Sequence, residues 1–362
     1  TNGIGLGAAE ALAALGANLA IVGRSKTRTR IASARIRAAA GRGATVATFI
    51  ADLSSQVSVR RLAAEVLARY PKLDVLINNA GAMYGTRQLS KDGIEMTWAV
   101  NHLAPFLLSK LLLHRLKESA LARIITTASQ AHQGACIPFD DLNAERSYRG
   151  FSRYCETKLA NILFTTELAR RLDGTGVTAN CFHPGLVATG FNRNNGLLMN
   201  LGMTILRPVS RSPEKGAETL VWLATSPDVA NVSGVYFFDQ EQRPPSPEAQ
   251  DAEAARRLWE ISENLHRAEL SAVERAEHID EWRKLTVSKT QPASNPRGGR
   301  PSKGHHETAT ALGVSHDAVR QDLSRAYRLL VPDADPEADD LRTRAVLAYL
   351  ELTRDDDAVD GA

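Results

Sequence analysis

The chain has 362 residues, of which 43% are hydrophobic and 23% charged, and its formal net charge is +3. These proportions are typical of a globular protein and exclude fibrous and broadly disordered classes, and so small a charge does not by itself imply a polyanion partner. The three cysteines show no CxxC spacing, so no metal site is expected and a reducing, cytoplasmic compartment is favoured. No apolar run reaches the roughly 18 residues of a membrane-spanning helix.

Short β-rich runs alternate with amphipathic helical stretches between residues 8 and 239. This alternation is typical of repeated βαβ units and predicts an α/β fold with a doubly wound, Rossmann-like parallel sheet. Helices are expected over residues 57–70, 96–119, 152–172 and 248–265. Strands are expected over residues 18–22, 45–50, 75–77, 123–127, 178–182 and 235–238.

The chain opens at Thr1, within a glycine-rich turn that no strand precedes. We therefore expect a truncated N-terminus and a sheet that lacks its first strand. The neighbours of a missing central strand keep unpaired backbone groups, each costing about 1 to 3 kcal/mol where it is buried. We expect the chain as written to fold poorly or to be inactive, and a version extended upstream to be active.

Changes in composition divide the chain into a large domain and a small α-helical C-terminal appendage. The large domain is predicted over residues 1–247, because a Pro-rich polar stretch follows the last strand. The appendage is predicted to contain a helical connection over 248–290, a basic linker over 291–306, a helix-turn-helix-like segment over 307–330 and an acidic tail with a short helix over 331–362.

The glycine-rich turn runs straight into a helical pattern. Glycines permit a tight turn, and the N–H groups at a helix N-terminus attract a pyrophosphate. Because such a turn is often only a turn, the signal is weak when it stands alone. The predicted cofactor-binding residues of this turn are Thr1, Asn2, Gly3, Ile4 and Gly5.

Three more segments follow predicted strands, where a doubly wound sheet binds its ligand. Arg24 is placed to face the adenosine ribose, so NADP is favoured and NAD is the alternative; a solvated basic loop is the other interpretation. Asp52, which Leu53 follows, is placed to accept hydrogen bonds from an adenine amino group. The third segment, whose residues are also common in ordinary turns, contributes Asn79, Ala80 and Gly81.

Tyr154 and Lys158 are four residues apart in a predicted helix, so their side chains share one face. A cation beside a phenol lowers its pKa, which allows Tyr154 to exchange a proton with a carbonyl or alcohol oxygen. Ser129 follows a predicted strand and can donate a hydrogen bond to the same oxygen. Taken singly, the Tyr and Lys are typical of a solvated helix face, and the Ser of a cap or turn.

Together these segments resemble the short-chain dehydrogenase/reductase superfamily over about residues 1–239. The resemblance is carried, in order, by residues 1–5 and 78–81, by Asn101, Ser129, Tyr154 with Lys158, and by Pro184-Gly185. Residues 98–103, 139–143 and 154–161 resemble its retinol-dehydrogenase-like branch.

The resemblance implies an oxidoreductase that transfers a hydride between NAD(P) and a carbonyl carbon. Tyr154 would be the acid and base, Lys158 would lower its pKa and hold the nicotinamide ribose, and Ser129 would polarise the substrate oxygen. Asn101 would support a proton relay through water, and dimers or tetramers are common in the family. The residues implied to lie against the nicotinamide or the phosphates are Pro184, Gly185, Val187 and Thr189.

Two segments extend the functional predictions. Residues 190–208 are rich in Leu and Met and would form a substrate lid in this family, implying an apolar alcohol, aldehyde or ketone; a core-packing helix and a membrane-resting loop are the alternatives. Residues 266–330 resemble the helix-turn-helix portion of ParB-like proteins, which makes DNA a second candidate partner. The competing function is a DNA-associated regulator, or an inactive fusion fragment, that keeps the dinucleotide fold as a scaffold.

Overall fold

The computed structural model describes residues 2–119, 121–187 and 210–267. All of these residues except residue 267 belong to one compact unit, Thr1–His266. Outside the described residues lie Thr1, Thr189, the apolar segment 190–208, and the predicted linker, helix-turn-helix-like segment and acidic tail. What the sequence predicts for those parts stays a prediction.

Strands and helices alternate along the described chain, and each of the six predicted strands is present to within one residue. The strands are β1 (Leu19–Gly23), β2 (Val46–Ile50), β3 (Val75–Asn78), β4 (Arg123–Thr127), β5 (Thr178–Phe182), β6 (Tyr236–Phe238) and β7 (Glu241–Gln242). The helices are α1 (Gly3–Ala14), α2 (Lys26–Ala39), α3 (Gln56–Arg69), α4 (Met96–Trp98), α5 (Ala104–Glu118), α6 (Gly150–Arg171), α7 (Pro213–Thr225) and α8 (Ala252–Arg267).

Serine side chains fix where three of the helices begin. Ser25, Ser55 and Ser212 precede α2, α3 and α7, and each accepts a hydrogen bond from the backbone N–H three residues later. This bond satisfies one of the N–H groups that the first turn of a helix leaves without a partner.

The strands form two sheets. In the first, β1 pairs with β2 in parallel; in the second, β3, β4, β5 and β6 pair in parallel in that order, and β7 runs antiparallel to β6. Arg123 lies opposite both Val75 and Thr178, so β3, β4 and β5 end at the same edge. The short strand β7 was not predicted; it forms because Asp239 and Gln240, both at positive φ, make a two-residue hairpin turn.

The two sheets do not pair with each other, and within the described residues neither β1 nor β3 has a partner on its second edge. Helices bridge the break on both faces. One cluster joins Phe49 of β2 to Ile124 of β4, and α1 shares clusters with β2 and with Ile125, which points to the opposite face. This agrees with the predicted Rossmann-like sheet that has no strand between β1 and β3. The predicted effect on folding and activity stays a prediction.

The last described helix, α8, packs back on this unit. Trp259 lies with its ring centre 4.8 Å from that of Phe106, and Leu258 is buried beside it. One turn later, the Ser262 hydroxyl lies 3.0 Å from His102 Nε2. The helix predicted over residues 248–265 is therefore part of the core around α5 and α6.

A π-helical turn, Ala99–Leu103, joins α4 to α5 and interrupts the single helix predicted over residues 96–119. Ala104 donates its backbone N–H to the carbonyl of Ala99, five residues earlier. Pro105 has no N–H, so it cannot donate to the carbonyl of Asn101, its α-helical acceptor. Such turns are frequent at functional sites.

Candidate active site

The backbone carbonyl that ends β4 is the centre of a polar cluster. Thr127 O accepts from Lys158 Nζ at 3.0 Å and from Asn161 Nδ2 at 3.4 Å, and both of these donors lie on α6. The Thr127 hydroxyl donates to Asn79 Oδ1 at 3.2 Å, just beyond the end of β3. The neighbouring ends of β3 and β4 are thus joined to each other and to α6.

Asn101 lies in the π-helical turn and is buried. Its Oδ1 accepts from Ala82 N at 2.8 Å, and its Nδ2 donates to Ala82 O at 2.9 Å and to Thr157 Oγ1 at 3.0 Å. The side chain therefore connects the segment after β3 to α6. The proton relay predicted for Asn101 stays a prediction.

Ser129 follows β4 and has the capping role that was the alternative interpretation for it. Its Oγ accepts from Ala131 N at 3.1 Å and so caps a short 3-10 helix, Gln130–His132. The same side chain is near enough to Tyr154 to lower its pKa, and its predicted bond to the substrate oxygen stays a prediction. His132 holds the turn, because its Nδ1 donates to Ser129 O at 2.7 Å and its Nε2 accepts from Ser246 N at 3.1 Å.

Tyr154 and Lys158 lie one turn apart on α6, as the sequence predicts, with Lys158 Nζ 5.5 Å from the centre of the Tyr154 ring. Burial raises the pKa of Tyr154 to about 12, and the hydrogen bond with Ser129 opposes that rise. Burial also lowers the pKa of Lys158 to about 8. The pKa of Tyr154 is thus raised rather than lowered in this structure, and the lowering by Lys158 that the sequence implied stays a prediction.

Glycines bring α1 and the segment after β3 close together. A Cβ at Gly5 would lie 2.5 Å from Asn79 Nδ2, and a Cβ at Gly81 would lie 3.4 Å from Asn101 Oδ1. Asn2 caps α1 by accepting from Gly3 N at 2.8 Å. A helix N-terminus and closely approaching glycines at this edge fit the pyrophosphate of a dinucleotide, as predicted.

The residues predicted to bind the adenosine half follow β1 and β2. Arg24 directly follows β1, is exposed and forms no ion pair with a described residue. Asp52 Oδ1 accepts from the Ser54 backbone N at 3.1 Å and from its hydroxyl at 2.8 Å, so part of the Asp52 carboxylate stabilises its own turn. Leu53 packs against the core between α3 and α5.

The segment after β5 is held by a histidine side chain. His183 stacks on Phe238 at 4.0 Å between ring centres, and its Nδ1 accepts from Gly185 N at 3.1 Å. This bond holds the turn at Pro184, where Gly185 has a φ of 78°. Val187, two residues later, packs closely against Gly216 of α7. A Cβ at Gly216 would lie 2.6 Å from Val187 and 3.3 Å from Ile4.

The structure thus brings Asn101, Ser129, Tyr154 and Lys158 to one edge, together with the predicted cofactor segments at residues 2–5, 79–81 and 184–187. Three residues that hold these groups in place, Thr127, His132 and Thr157, were not predicted from the sequence. Pro105 was a readable signal for the π-helical turn, because a proline inside a helical pattern removes a hydrogen bond.

The part of the chain that the structure describes contains no candidate metal site. There, no group of three His, Cys, Asp or Glu side chains could hold a metal ion. No described helix is long and apolar enough to cross a membrane.

Comparison with known proteins agrees with this geometry. The profile of the family described as short chain dehydrogenase matches residues 1–198. The chain belongs to the short-chain dehydrogenase family. As a member, it is an NAD(P)-dependent oxidoreductase that acts on CH–OH donors, and the alternative of a regulator with a broken fold is not favoured.

Relatives within the short-chain dehydrogenase family support the predicted branch. Retinol dehydrogenase 14 of Mus musculus is 42% identical over 275 residues, which cover 72% of this chain and 82% of that protein. A structure of a Mycobacterium paratuberculosis protein is 32% identical, with a TM-score of 0.58 over 73% of this chain and 89% of that one.

A second solved structure contains a cofactor. It is a short chain dehydrogenase from Burkholderia cenocepacia in complex with NADP, 27% identical, with a TM-score of 0.53 over 65% of this chain and 91% of that one. The resemblance of residues 266–330 to ParB-like proteins stays a prediction.

Proposed function

We propose that this chain uses NADP(H) to interconvert an apolar alcohol and the matching aldehyde or ketone, with Tyr154 as the proton-transfer group. The observation that carries the proposal is the position of Tyr154 beside the buried amine of Lys158, which lies 5.5 Å from the Tyr154 ring centre, with Ser129 near enough to lower the pKa of the phenol. When bound, the nicotinamide supplies or accepts the hydride. The residues described here orient the substrate oxygen and move its proton.

The proton step follows from the pKa of Tyr154. With that pKa raised to about 12, the phenol is protonated at neutral pH and can donate its proton to the oxygen of a carbonyl as that oxygen becomes an alkoxide. Ser129 donates a hydrogen bond to the same oxygen as its charge develops. In the oxidation direction the same two groups act in reverse.

Lys158 is placed to hold the cofactor rather than to touch the substrate. Its amine is buried, donates to Thr127 O, and lies 3.7 Å from the position of a Cβ at Gly81. An amine at that place can donate to ribose hydroxyls lying along the segment after β3.

Arg24 supports the choice of NADP over NAD. It is exposed at the end of β1, where a guanidinium can pair with a 2′-phosphate. The related Burkholderia cenocepacia enzyme was solved in complex with NADP, which agrees with this assignment.

Exposed apolar side chains beside the site favour an apolar substrate. Phe151 is 61% exposed with its ring centre 6.5 Å from that of Tyr154, and Leu186 is 46% exposed after the Pro184 turn. Retinol dehydrogenases among the relatives are consistent with a substrate of this kind. The cytoplasmic location, a homo-oligomer and DNA contacts by residues 307–330 stay predictions.

Turnover by Tyr154→Phe tests the proposal. We expect the wild type to oxidise NADPH with retinal or another apolar aldehyde. In the variant, kcat should fall by roughly 10²- to 10⁴-fold because the proton donor is removed. The NADPH Kd and the melting temperature should change little. Tyr70→Phe, at the end of α3, is the matched control; equal turnover by Tyr154→Phe and the wild type would refute the proposal.

A further inference from the structure

The residue that precedes Tyr154 in the chain forms a buried ion pair. Arg153 Nε donates to Glu95 Oε2 at 2.8 Å, and the two side chains are 1% and 0% exposed. Charges removed from water are tolerated only where their hydrogen bonds are made. The Arg153 guanidinium makes further hydrogen bonds to Glu156 Oε2 at 2.9 Å and to Leu142 O. It also lies over the Trp98 ring.

The other end of the pair caps the helix that leads to Asn101. The Glu95 carboxylate accepts from the backbone N–H groups of Thr97 and Trp98, each at 2.9 Å, and so begins α4. Its Oε1 also lies 3.2 Å from the Tyr148 hydroxyl. From α4 the backbone runs without interruption through the π-helical turn to Asn101.

We propose that the Glu95–Arg153 pair positions the active site by fixing the first turns of α6 against α4, so that Tyr154 meets Ser129. The proposal rests on the function proposed above. Neither member of the pair touches substrate or cofactor in this role, so both are positioning residues.

Two tethers act on α6, one on each side of Tyr154. The Glu95–Arg153 pair precedes Tyr154 by one residue, and the bond from Asn101 Nδ2 to Thr157 Oγ1 follows it by less than one turn. With both in place the helix cannot rotate about its axis, and the Tyr154 ring keeps its direction. A buried ion pair adds little net stability over apolar side chains of the same volume, so its directional bonds are its main contribution.

Arg153→Lys is the first test, because it keeps the charge but loses the planar fork that contacts Glu95, Glu156 and Leu142 together. We expect kcat for an apolar aldehyde to fall roughly tenfold while the NADPH Kd changes less than twofold, since small misplacements of reacting groups slow chemistry. The deuterium isotope effect from 4-deuterated NADPH should rise, because hydride transfer becomes more rate-limiting. A role in stability alone would lower the melting temperature and leave this isotope effect unchanged.

Arg170→Lys is the matched control. Arg170 lies on the same helix and binds the buried carboxylate of Glu167 through two bonds of 2.7 and 2.8 Å, but it is far along α6 from Tyr154. We expect its kcat and isotope effect to equal those of the wild type. If Arg153→Lys matches Arg170→Lys in both quantities, the proposal is wrong.

Tyr148→Phe covers the outcome in which Arg153→Lys does not fold. It removes the hydroxyl that bonds with Glu95 Oε1 at 3.2 Å, and with it the bonds to Tyr84 O at 2.8 Å and Thr97 Oγ1 at 3.3 Å. We expect a smaller change, a kcat lowered two- to threefold with a higher isotope effect; an unchanged isotope effect would overturn the proposal. Should the wild type turn over no substrate, the proposed function fails. The tether is then tested by amide hydrogen exchange over residues 150–157, which must quicken in Arg153→Lys or Tyr148→Phe and not in Arg170→Lys.

Discussion

Gly5 is required by its neighbour rather than by its own backbone angles. A Cβ at this position would lie 2.5 Å from Asn79 Nδ2, a distance that real side chains do not adopt. Asn79 cannot simply turn away, because its Oδ1 accepts from the Thr127 hydroxyl. The missing side chain therefore lets the first turn of α1 lie against the polar ends of β3 and β4.

Gly5→Ala should therefore be destabilising in a way that depends on Asn79. We expect a loss of about 1 to 3 kcal/mol in the free energy of unfolding, the usual cost of overpacking. In an Asn79→Ala background the same change should be neutral or stabilising by up to about 1 kcal/mol, because alanine is the better helix former. Denaturant unfolding of the wild type, the two single variants and the double variant measures this coupling. An equal loss of unfolding free energy from Gly5→Ala in both backgrounds would contradict the prediction.

The residues proposed for the chemical step were predictable, and those that hold them were not. Tyr154 and Lys158 share a helix face, so local spacing was enough to pair them, and the family resemblance added Ser129. Glu95 and Arg153 are 58 residues apart, and His132 meets Ser246 over 114 residues. Such pairs are created by the topology of the sheet, which residue spacing does not reveal.

At the scale of elements, strands were predicted well because each is a short apolar run between two helices. The π-helical turn was missed since it adds one residue to a helix without changing its apolar pattern. The strand β7 was missed since its two residues, Glu241 and Gln242, have no strand composition and pair only through the hairpin before them. In both, backbone hydrogen bonds rather than side-chain composition define the element.

The break in the sheet can be tested by amide hydrogen exchange. Leu19 N donates to Thr45 O and Asp74 O accepts from Arg123 N, so alternate residues of β1 and β3 face their partner strands. The amides of Ala20 and Val22 in β1, and of Val75 and Ile77 in β3, then face the open edges. We expect these to exchange faster than those of Ile21 and Leu76, which face β2 and β4.

The alternation is the internal control for this experiment. Residues 21 and 22, or 76 and 77, are neighbours that are all half-buried, so a difference between them reports the direction of the N–H group rather than local unfolding. Uniform protection along β1 and β3 would show that both edges of these strands are paired in solution.

At the scale of the whole molecule, stability is linked to pH by three buried imidazoles among the residues that the structure describes. Burial lowers the pKa of His102 to about 3 and that of His183 to about 4, from 6.5, and it also lowers the pKa of His132. His183 Nδ1 and His132 Nε2 both accept hydrogen bonds from backbone N–H groups, which requires an unprotonated nitrogen. The folded protein therefore keeps these rings neutral.

Stability should accordingly fall as the pH drops from about 6.5 to 4. In that interval the unfolded chain binds protons that the folded chain does not, so protonation favours unfolding. For His102 alone the slope approaches about 1.4 kcal/mol per pH unit. Melting temperatures measured from pH 7 to 4.5 test this expectation.

Substitution of single histidines separates this effect from general acid unfolding. His102→Gln keeps a group that can bond with Ser262 but does not titrate, and it should flatten the pH dependence of stability. His114→Gln is the control, because that side chain is 87% exposed and its ion-pair partner among the described residues is Glu118. Identical slopes in the two variants would rule out the buried imidazole as the cause.

The atom that receives Lys158 belongs to the main chain. The carbonyl of residue 127 is present whichever side chain that residue carries. Substitution at position 127 therefore changes the hydroxyl bond to Asn79 but leaves the acceptor of the Lys158 amine intact. Mutational scanning at position 127 would therefore report on the hydroxyl bond to Asn79 and not on the carbonyl that accepts from Lys158. Natural sequence variation at position 127 would not reveal this role of the carbonyl either, because every amino acid has a backbone carbonyl.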